Sequence, residues 1–324
     1  MTGPASVGMQ DNVLAEWVYG LAAAPTPAGG LVLCAARGSG LYRSPDGGQT
    51  WEHLYAGLHL PGPLATAAVA LSSAYPGDGT LFAGVAGAVM CSRDDGQSWH
   101  AASLASPAPV VTALAVSPDY ERDGVVFAAT AEDGVFRSKD RGGRWGAWNF
   151  GLLDLNTLCL ALSPAFGHDQ TLFVGTESGI FRSTNGGRAW RDVEFSEDHA
   201  PVQCLALSPA YRVDGVLAAG TESCGLFFSY DAGETWHRVA ADVITGSVIA
   251  VAISPAGPHQ RVLVATDEAL LLSDDAGASW ALLLQERNTQ LTCCAAPLDL
   301  LAGGEVFIGT MDGRVLRGTL PAPA

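Results

Sequence analysis

The residues of this chain best suited to chemistry recur at fixed intervals. Glu132, Glu177, Glu222, Asp267 and Asp312 follow one another every 45 residues, and Asp133 and Glu268 reinforce two of them. Carboxylates gathered on one surface raise the local negative potential and favour a cationic partner. A suitable pair can also divide the roles of general acid and base. A second set comprises Asp46, Asp94, Asp140, Asn185, Asp231 and Asp275, each two residues after a serine and five before a tryptophan. A side-chain oxygen so placed accepts hydrogen bonds from the backbone N–H groups of its own turn. A catalytic constellation is needed once, whereas this one occurs six times, so it reads as scaffold.

Nothing else in the chain converges on a reaction centre, so no catalytic residue is assigned. Arg43, Arg137 and Arg182 directly precede the serine of the repeated turn, and Arg317 is their counterpart near the end of the chain. Equivalent positions describe a strand feature and not a clamp on one substrate. The seven histidines are dispersed without ligand spacing, so neither a metal nor a cofactor is expected. Seven cysteines, none in CxxC spacing, read as small buried hydrophobes in a reducing compartment.

These residues are positioned by a repeat. Ser44-Pro-Asp-Gly-Gly-Gln-Thr-Trp51 returns at Ser92 to Trp99, Ser138 to Trp145, Ser183 to Trp190, Ser229 to Trp236 and Ser273 to Trp280. Successive tryptophans lie 48, 46, 45, 46 and 44 residues apart. Around each turn lie short runs rich in Val, Leu, Phe and Ala, such as Thr112 to Pro118, Val125 to Thr130 and Gly134 to Ser138, separated by Gly, Pro, Asp and Ser. That is the signature of four antiparallel strands per unit. Repeated units of this length and content form a β-propeller. Leu291 to Pro297, Glu305 to Thr310 and Gly313 to Arg317 match three strands of a further unit that lacks the turn. The expectation is therefore all-β: one domain over residues 1–324, with seven four-stranded blades and six turns. Residues from Ala5 to Glu16 are the expected donor of the strand that completes the last blade and closes the ring.

Composition narrows the partners. The formal net charge is −16, from 33 acidic and 17 basic residues, which disfavours nucleic-acid backbones and anionic membranes. No stretch reaches the ~20 apolar residues of a membrane helix. The first residues, Met1 to Trp17, have no basic region followed by an apolar core, so the sequence-based expectation is a cytoplasmic protein.

The motif S-x-D/N-x-G-x-x-W resembles the Asp-box, or BNR repeat, found in sialidases, xyloglucanases, sortilin-type ectodomains and photosystem II assembly factors. The resemblance spans the whole chain and implies the propeller fold. It also implies that the boxes join strands three and four on the face opposite any active site. It does not transfer an activity. A sialidase would need an arginine triad and an Arg-Ile-Pro motif, which this sequence lacks. A xyloglucanase would hold its polysaccharide between two propellers. The assembly factors resemble this chain most in architecture, but carry a basic patch and an export segment that are not seen here.

An aromatic residue followed three positions later by Asp, as in Tyr75–Asp78, Tyr120–Asp123, Phe166–Asp169 and Tyr211–Asp214, marks a packed, capped turn on the box face. The periodic carboxylates fall instead in the loops between strands two and three. These share a face with the loops leading into strand one. They are expected to form an acidic arc around one channel mouth, broken where Arg37 and Ala86 replace them and joined by Glu197, Asp198 and His199. The plainer alternative is that turn-favouring residues were copied with the repeat. The sequence thus points to a non-catalytic interaction or assembly scaffold whose acidic face meets a protein with a basic surface. The alternative is a carbohydrate-active enzyme of the Asp-box clan.

Overall fold

The computed structural model describes residues 16–25, 31–104, 108–195, 200–255, 260–296 and 300–323. Seven antiparallel sheets follow one another along the chain. Blade 4 shows the plan: Thr157–Leu162 lines the centre, then Leu172–Thr176, Ile180–Ser183 and the outer strand Arg191–Val193, in sequential order. Blades 1 to 6 each have four strands. Blade 7 has three among the described residues, Leu291–Ala295, Glu305–Thr310 and Val315–Thr319. The expected N-terminal strand donor, residues 5–15, lies outside the described residues, and Glu16 is at a bend.

Every second strand from blade 2 to blade 6 is buried almost from end to end, as in Leu172–Thr176 and Val262–Thr266. Such a strand packs against a neighbouring blade on each face, which is why its sequence is an apolar run and not an alternating one. The apolar contacts between blades are specific. The buried ring of Phe82 meets Tyr120 of the next blade edge-on at 5.8 Å, and Phe127–Phe166 and Phe173–Tyr211 repeat the contact at 5.7 and 6.1 Å. Edge-to-face pairs are the favoured aromatic geometry and add about 0.5–1.5 kcal/mol to area burial.

The innermost seam explains how the ring closes. In blade 5 the thiol of Cys204 donates to the carbonyl of Val248 in blade 6, and Gly220 faces both. At the junction of blades 7 and 1 the same roles fall to Cys293, Val18 and Gly309, and the Thr292 hydroxyl donates to the Val18 carbonyl at 2.6 Å. A Cβ on Gly309 would stand 2.5 Å from Cys293 Sγ and 2.8 Å from Val18 Cβ, so the backbone approach requires glycine. Burial pushes the Cys204, Cys293 and Cys294 thiols up to about 12, which makes them poor nucleophiles.

Two substitutions test this seam logic. Phe173→Ala removes a fully buried ring between blades and is expected to cost about 3–5 kcal/mol in chemical denaturation. Gly309→Val is expected to open the closing seam, read as proteolysis within Val18–Pro25 that the parent chain resists. Unchanged protection there would contradict the role given to Gly309.

Candidate functional site

The Asp-box turns are closed units. In blade 5, Asp231 Oδ1 accepts from the Ser229 hydroxyl at 2.8 Å and from the backbone N–H of Thr235 at 2.9 Å. Its Oδ2 accepts from the Thr235 hydroxyl at 2.5 Å. The Ser229 hydroxyl oxygen accepts from Gly233 N–H, which sits at φ 90°, in the region that favours glycine. Asp46, Asp94, Asp140, Asn185 and Asp275 build the same turn. Where the box carries Asn185, position seven is Ala189 and no hydroxyl is present to be accepted. The Thr235 hydroxyl and N–H, then Ser229, hold the Asp231 carboxyl down at about 2, and Ser279 does the same for Asp275. Trp99, Trp145 and Trp280 fold back so that each indole N–H donates to the box glycine carbonyl. Trp190 donates instead to the Trp148 carbonyl of the preceding blade. Trp51 and Trp236 pack into clusters between blades.

Three of the four aromatic–Asp turns are helical, Tyr120–Asp123, Phe166–Asp169 and Tyr211–Asp214, each with its Asp accepting from a serine hydroxyl six residues earlier at 2.6 Å. Tyr75–Asp78 is a non-helical turn with the same bond from Ser72 at 2.7 Å. They bond directly to the boxes, Arg141 N–H to the Gly124 carbonyl and Ala232 N–H to that of Gly215, so the two turn sets share a face as expected.

The arginines before the boxes reach forward into the box of the next blade. Arg43 pairs with Asp95, Arg137 donates to the Gly186 carbonyl at 2.5 Å, and Arg182 pairs with Glu234 at 2.5 Å. The Arg317 guanidinium lies against Gly47, beside the first box, and pairs with Glu305. These are latches between blades and not a substrate clamp.

On the opposite face, the loop between strands two and three is tied in blades 4 to 7 to the loop entering strand one, and in blade 3 Gly134 N–H donates to Leu155 in the loop entering blade 4. Glu177 N–H donates to Asn156, Glu222 to Pro201, Asp267 to Ser247 and Met311 to Gln290. The periodic carboxylates therefore do lie on one face. Glu132, Glu177, Glu222, Glu268 and Asp312 are exposed, and Asp133 and Asp267 are half-buried. No cation forms a salt bridge with Glu132, Asp133, Glu177, Glu222, Asp267 or Glu268 among the described residues.

The periodicity missed three participants on this face. Arg314, two residues beyond Asp312, pairs with it at 2.9 Å and with Glu286 at 3.2 Å. Backbone N–H groups of Asn288 and Arg287, with Arg314, lower the Glu286 carboxyl against a smaller opposing effect of burial. Asp154 accepts from Asn156 and Ser178 N–H groups, which lower its carboxyl despite burial. Glu286 and Asp154 stand outside the 45-residue spacing, and only the short distance from Asp312 to Arg314 signalled a pair. Arg37, read as a gap in the arc, is buried in the closing seam and donates to the carbonyls of Glu16 and Gly313. Glu197, Asp198 and His199 lie outside the described residues.

Two clefts open on this face. One of about 610 Å³ lies between blades 6 and 7 and is lined by Glu268, Glu286, Gln290, Met311 and Asp312. The other, of about 530 Å³, also uses Glu268, with Asp267, Val243, Trp280 and Leu282. No group of three or more His, Cys, Asp or Glu is arranged to hold a metal among the described residues.

Fold and turns together define the class, an Asp-box β-propeller. Residues 62–252 match the DUF6242 beta propeller domain, and the chain belongs to that family. No curated protein matches it in sequence. Among solved structures, a GH74 xyloglucanase from Xanthomonas campestris superposes with a TM-score of 0.72 at 19% identity over 96% of this chain. The chain spans 54% of that enzyme, about half its length. YCF48 bound to D1 peptide gives 0.69 at 19% identity and covers 96% of both chains. The extracellular domain of a putative one-component system from B. thetaiotaomicron gives 0.69 at 13% identity, over 95% of this chain and 39% of that one. At these identities the likeness is one of fold.

The depressed box carboxyls set an acid limit. Their contribution is present above the ordinary carboxylate range and is lost as pH falls through the folded value. The thermal midpoint is expected to hold from neutral pH to about pH 4 and to fall as pH approaches about 2. In Asp231→Asn the midpoint should be lower at neutral pH and the acid slope shallower. An unchanged slope, followed by circular dichroism, would remove Asp231 from this account.

Proposed function

We propose that the protein is a non-catalytic interaction or assembly scaffold of the cytoplasm, whose acidic face engages a protein partner with a basic surface. The observation that carries this reading is the contrast between the two faces. On the box face Arg43, Arg137 and Arg182 are engaged in latches between blades. On the other, exposed Glu132, Glu177, Glu222 and Glu268 are held on loops pinned by main-chain hydrogen bonds, with no cation paired to them among the described residues. A fixed field of one sign accelerates encounter with an oppositely charged surface and excludes like-charged ones. The structure of YCF48 bound to D1 peptide, which this chain matches over 96% of both, supports the reading with a similar fold that holds a peptide.

A carbohydrate-active enzyme is the second reading, favoured by the cleft between blades 6 and 7. A glycosidase requires a carboxylic acid whose pKa is raised. The carboxyls of that cleft with displaced values, Glu286 and Asp312, are displaced downward, with Arg314 paired to both.

The test is affinity capture from the source lysate with the parent chain and with Glu132, Glu177 and Glu222 all changed to Gln. These are surface changes of about 0.5 kcal/mol or less each, so the variant should fold normally. The expected outcome is a partner retained by the parent at low salt and lost by the variant. Capture of an identical set by both would dismiss the acidic arc as a working surface, and turnover of a glycoside panel would favour the enzyme.

A further inference from the structure

The outer strand of a propeller blade leaves one row of backbone N–H and C=O groups without a strand partner, and proteins blunt such edges with charges or by keeping them short. Five outer strands here follow that rule. Glu52–His53 and Gly146–Ala147 are two residues long, and His100–Ser103, Arg191–Val193 and His237–Val239 carry titratable side chains. Blade 6 departs from it. Its outer strand, Ala281–Gln285, is the longest of the six and reads Ala-Leu-Leu-Leu-Gln, with no charge. It pairs with Ala269–Ser273 on one side and ends its sheet.

A bulge at Leu283 divides the three leucines. Leu283 and Leu284 pack on the cluster beneath blades 6 and 7, while Leu282 stays 48% exposed. Leu282 lines the 530 Å³ cleft beside half-exposed Val243 and the ring of Trp280, and Asp267 and Glu268 stand at the same cleft. The end of the strand is pinned there, with Glu286 N–H donating to the Glu268 carbonyl at 2.8 Å.

We infer that the outer edge of blade 6 accepts an extended segment of a partner protein as an added strand, and that this segment carries lysine or arginine beside apolar side chains. The reading rests on the interaction role proposed above and gives it a place and a chemistry. Main-chain hydrogen bonds along Ala281–Gln285 supply register, as in other strand additions. The cleft takes an apolar side chain, or the stem of a basic one, against Val243, Leu282 and Trp280, and the cationic head reaches Asp267 and Glu268. A second copy of this chain fits poorly, because two chains of net charge −16 would bring like carboxylates together at this edge.

The probe is a fluorescein-labelled eight-residue peptide of alternating lysine and valine, titrated by anisotropy at low salt, with alternating glutamate and valine as control. Binding is expected for the basic peptide alone, with slowed amide hydrogen exchange confined to residues 281–285 and the adjoining cleft. Leu282→Lys, at an exposed site, should weaken binding about tenfold or more by placing a cation on the edge. Combined Asp267→Asn and Glu268→Gln should weaken it about fivefold and flatten its salt dependence, and this pair leaves the strand untouched. No binding by the parent chain up to about 1 mM, or equal binding by Leu282→Lys, overturns the inference. So does peptide-free self-association in sedimentation that protects 281–285, which would identify the occupant as a second copy. If Leu282→Lys is silent while the Glu132, Glu177 and Glu222 variant loses its partner, the edge site fails and the acidic-face reading stands. The reverse pattern leaves the edge and removes the arc.

Discussion

Packing between neighbouring blades governs this molecule. A blade of four short strands cannot bury both faces of its second strand alone, so Phe82, Phe127 and Phe173 find their partners, Tyr120, Phe166 and Tyr211, one blade further on. The small residue behind them in the second strand, glycine in Gly175, Gly220 and Gly309, lets the first strand of the next blade approach within van der Waals contact. The three aromatic pairs run in the same direction, and the latches from Arg43, Arg137 and Arg182 point the same way.

That rule leaves the loops free to differ. Each box turn satisfies its Asp or Asn within itself, and the arginines that precede the boxes, Arg43, Arg137 and Arg182, are engaged in latches to the next blade. On the other face, the loops between strands two and three are held to neighbouring loops by main-chain hydrogen bonds and a few side-chain ones, such as Ser178 N–H to Asp154 and Asn149 to the Asp133 carbonyl. The side chains of Glu132, Glu222 and Glu268 point to solvent and answer to no packing requirement. Carboxylates can accumulate there at little structural cost, and a surface so biased is suited to recognition.

The fold was legible in the sequence because its determinants are local and repeated. Ser229, Asp231, Gly233 and Trp236 act within one turn, and six copies made the period plain. The shared face of Glu177, Glu222 and Asp267 followed from the topology. What stayed hidden depended on contacts distant in sequence or on departures from the repeat. Arg37 looked like a loop residue and is a buried seam residue, because its partner Gly313 lies 276 positions away. The pairing of Arg314 with Glu286 crosses between loops that the period does not link. The blade 6 edge was invisible for another reason. An apolar outer strand looks like any other strand until the exposure of Leu282 among the described residues sets it apart.

The closing hydrogen bond from Thr292 to Val18 joins residues 274 positions apart, a separation no other seam approaches. On the ribosome, blades 1 to 6 can assemble one on another as they emerge. Val18 nevertheless waits with its apolar side uncovered until Gly309 has been made, so the inner strand of blade 1 is covered only once blade 7 exists. Long-range closure of this kind slows folding and prolongs the exposure of unpaired surface. The same contact that gives the finished ring no beginning makes the nascent one vulnerable at its start.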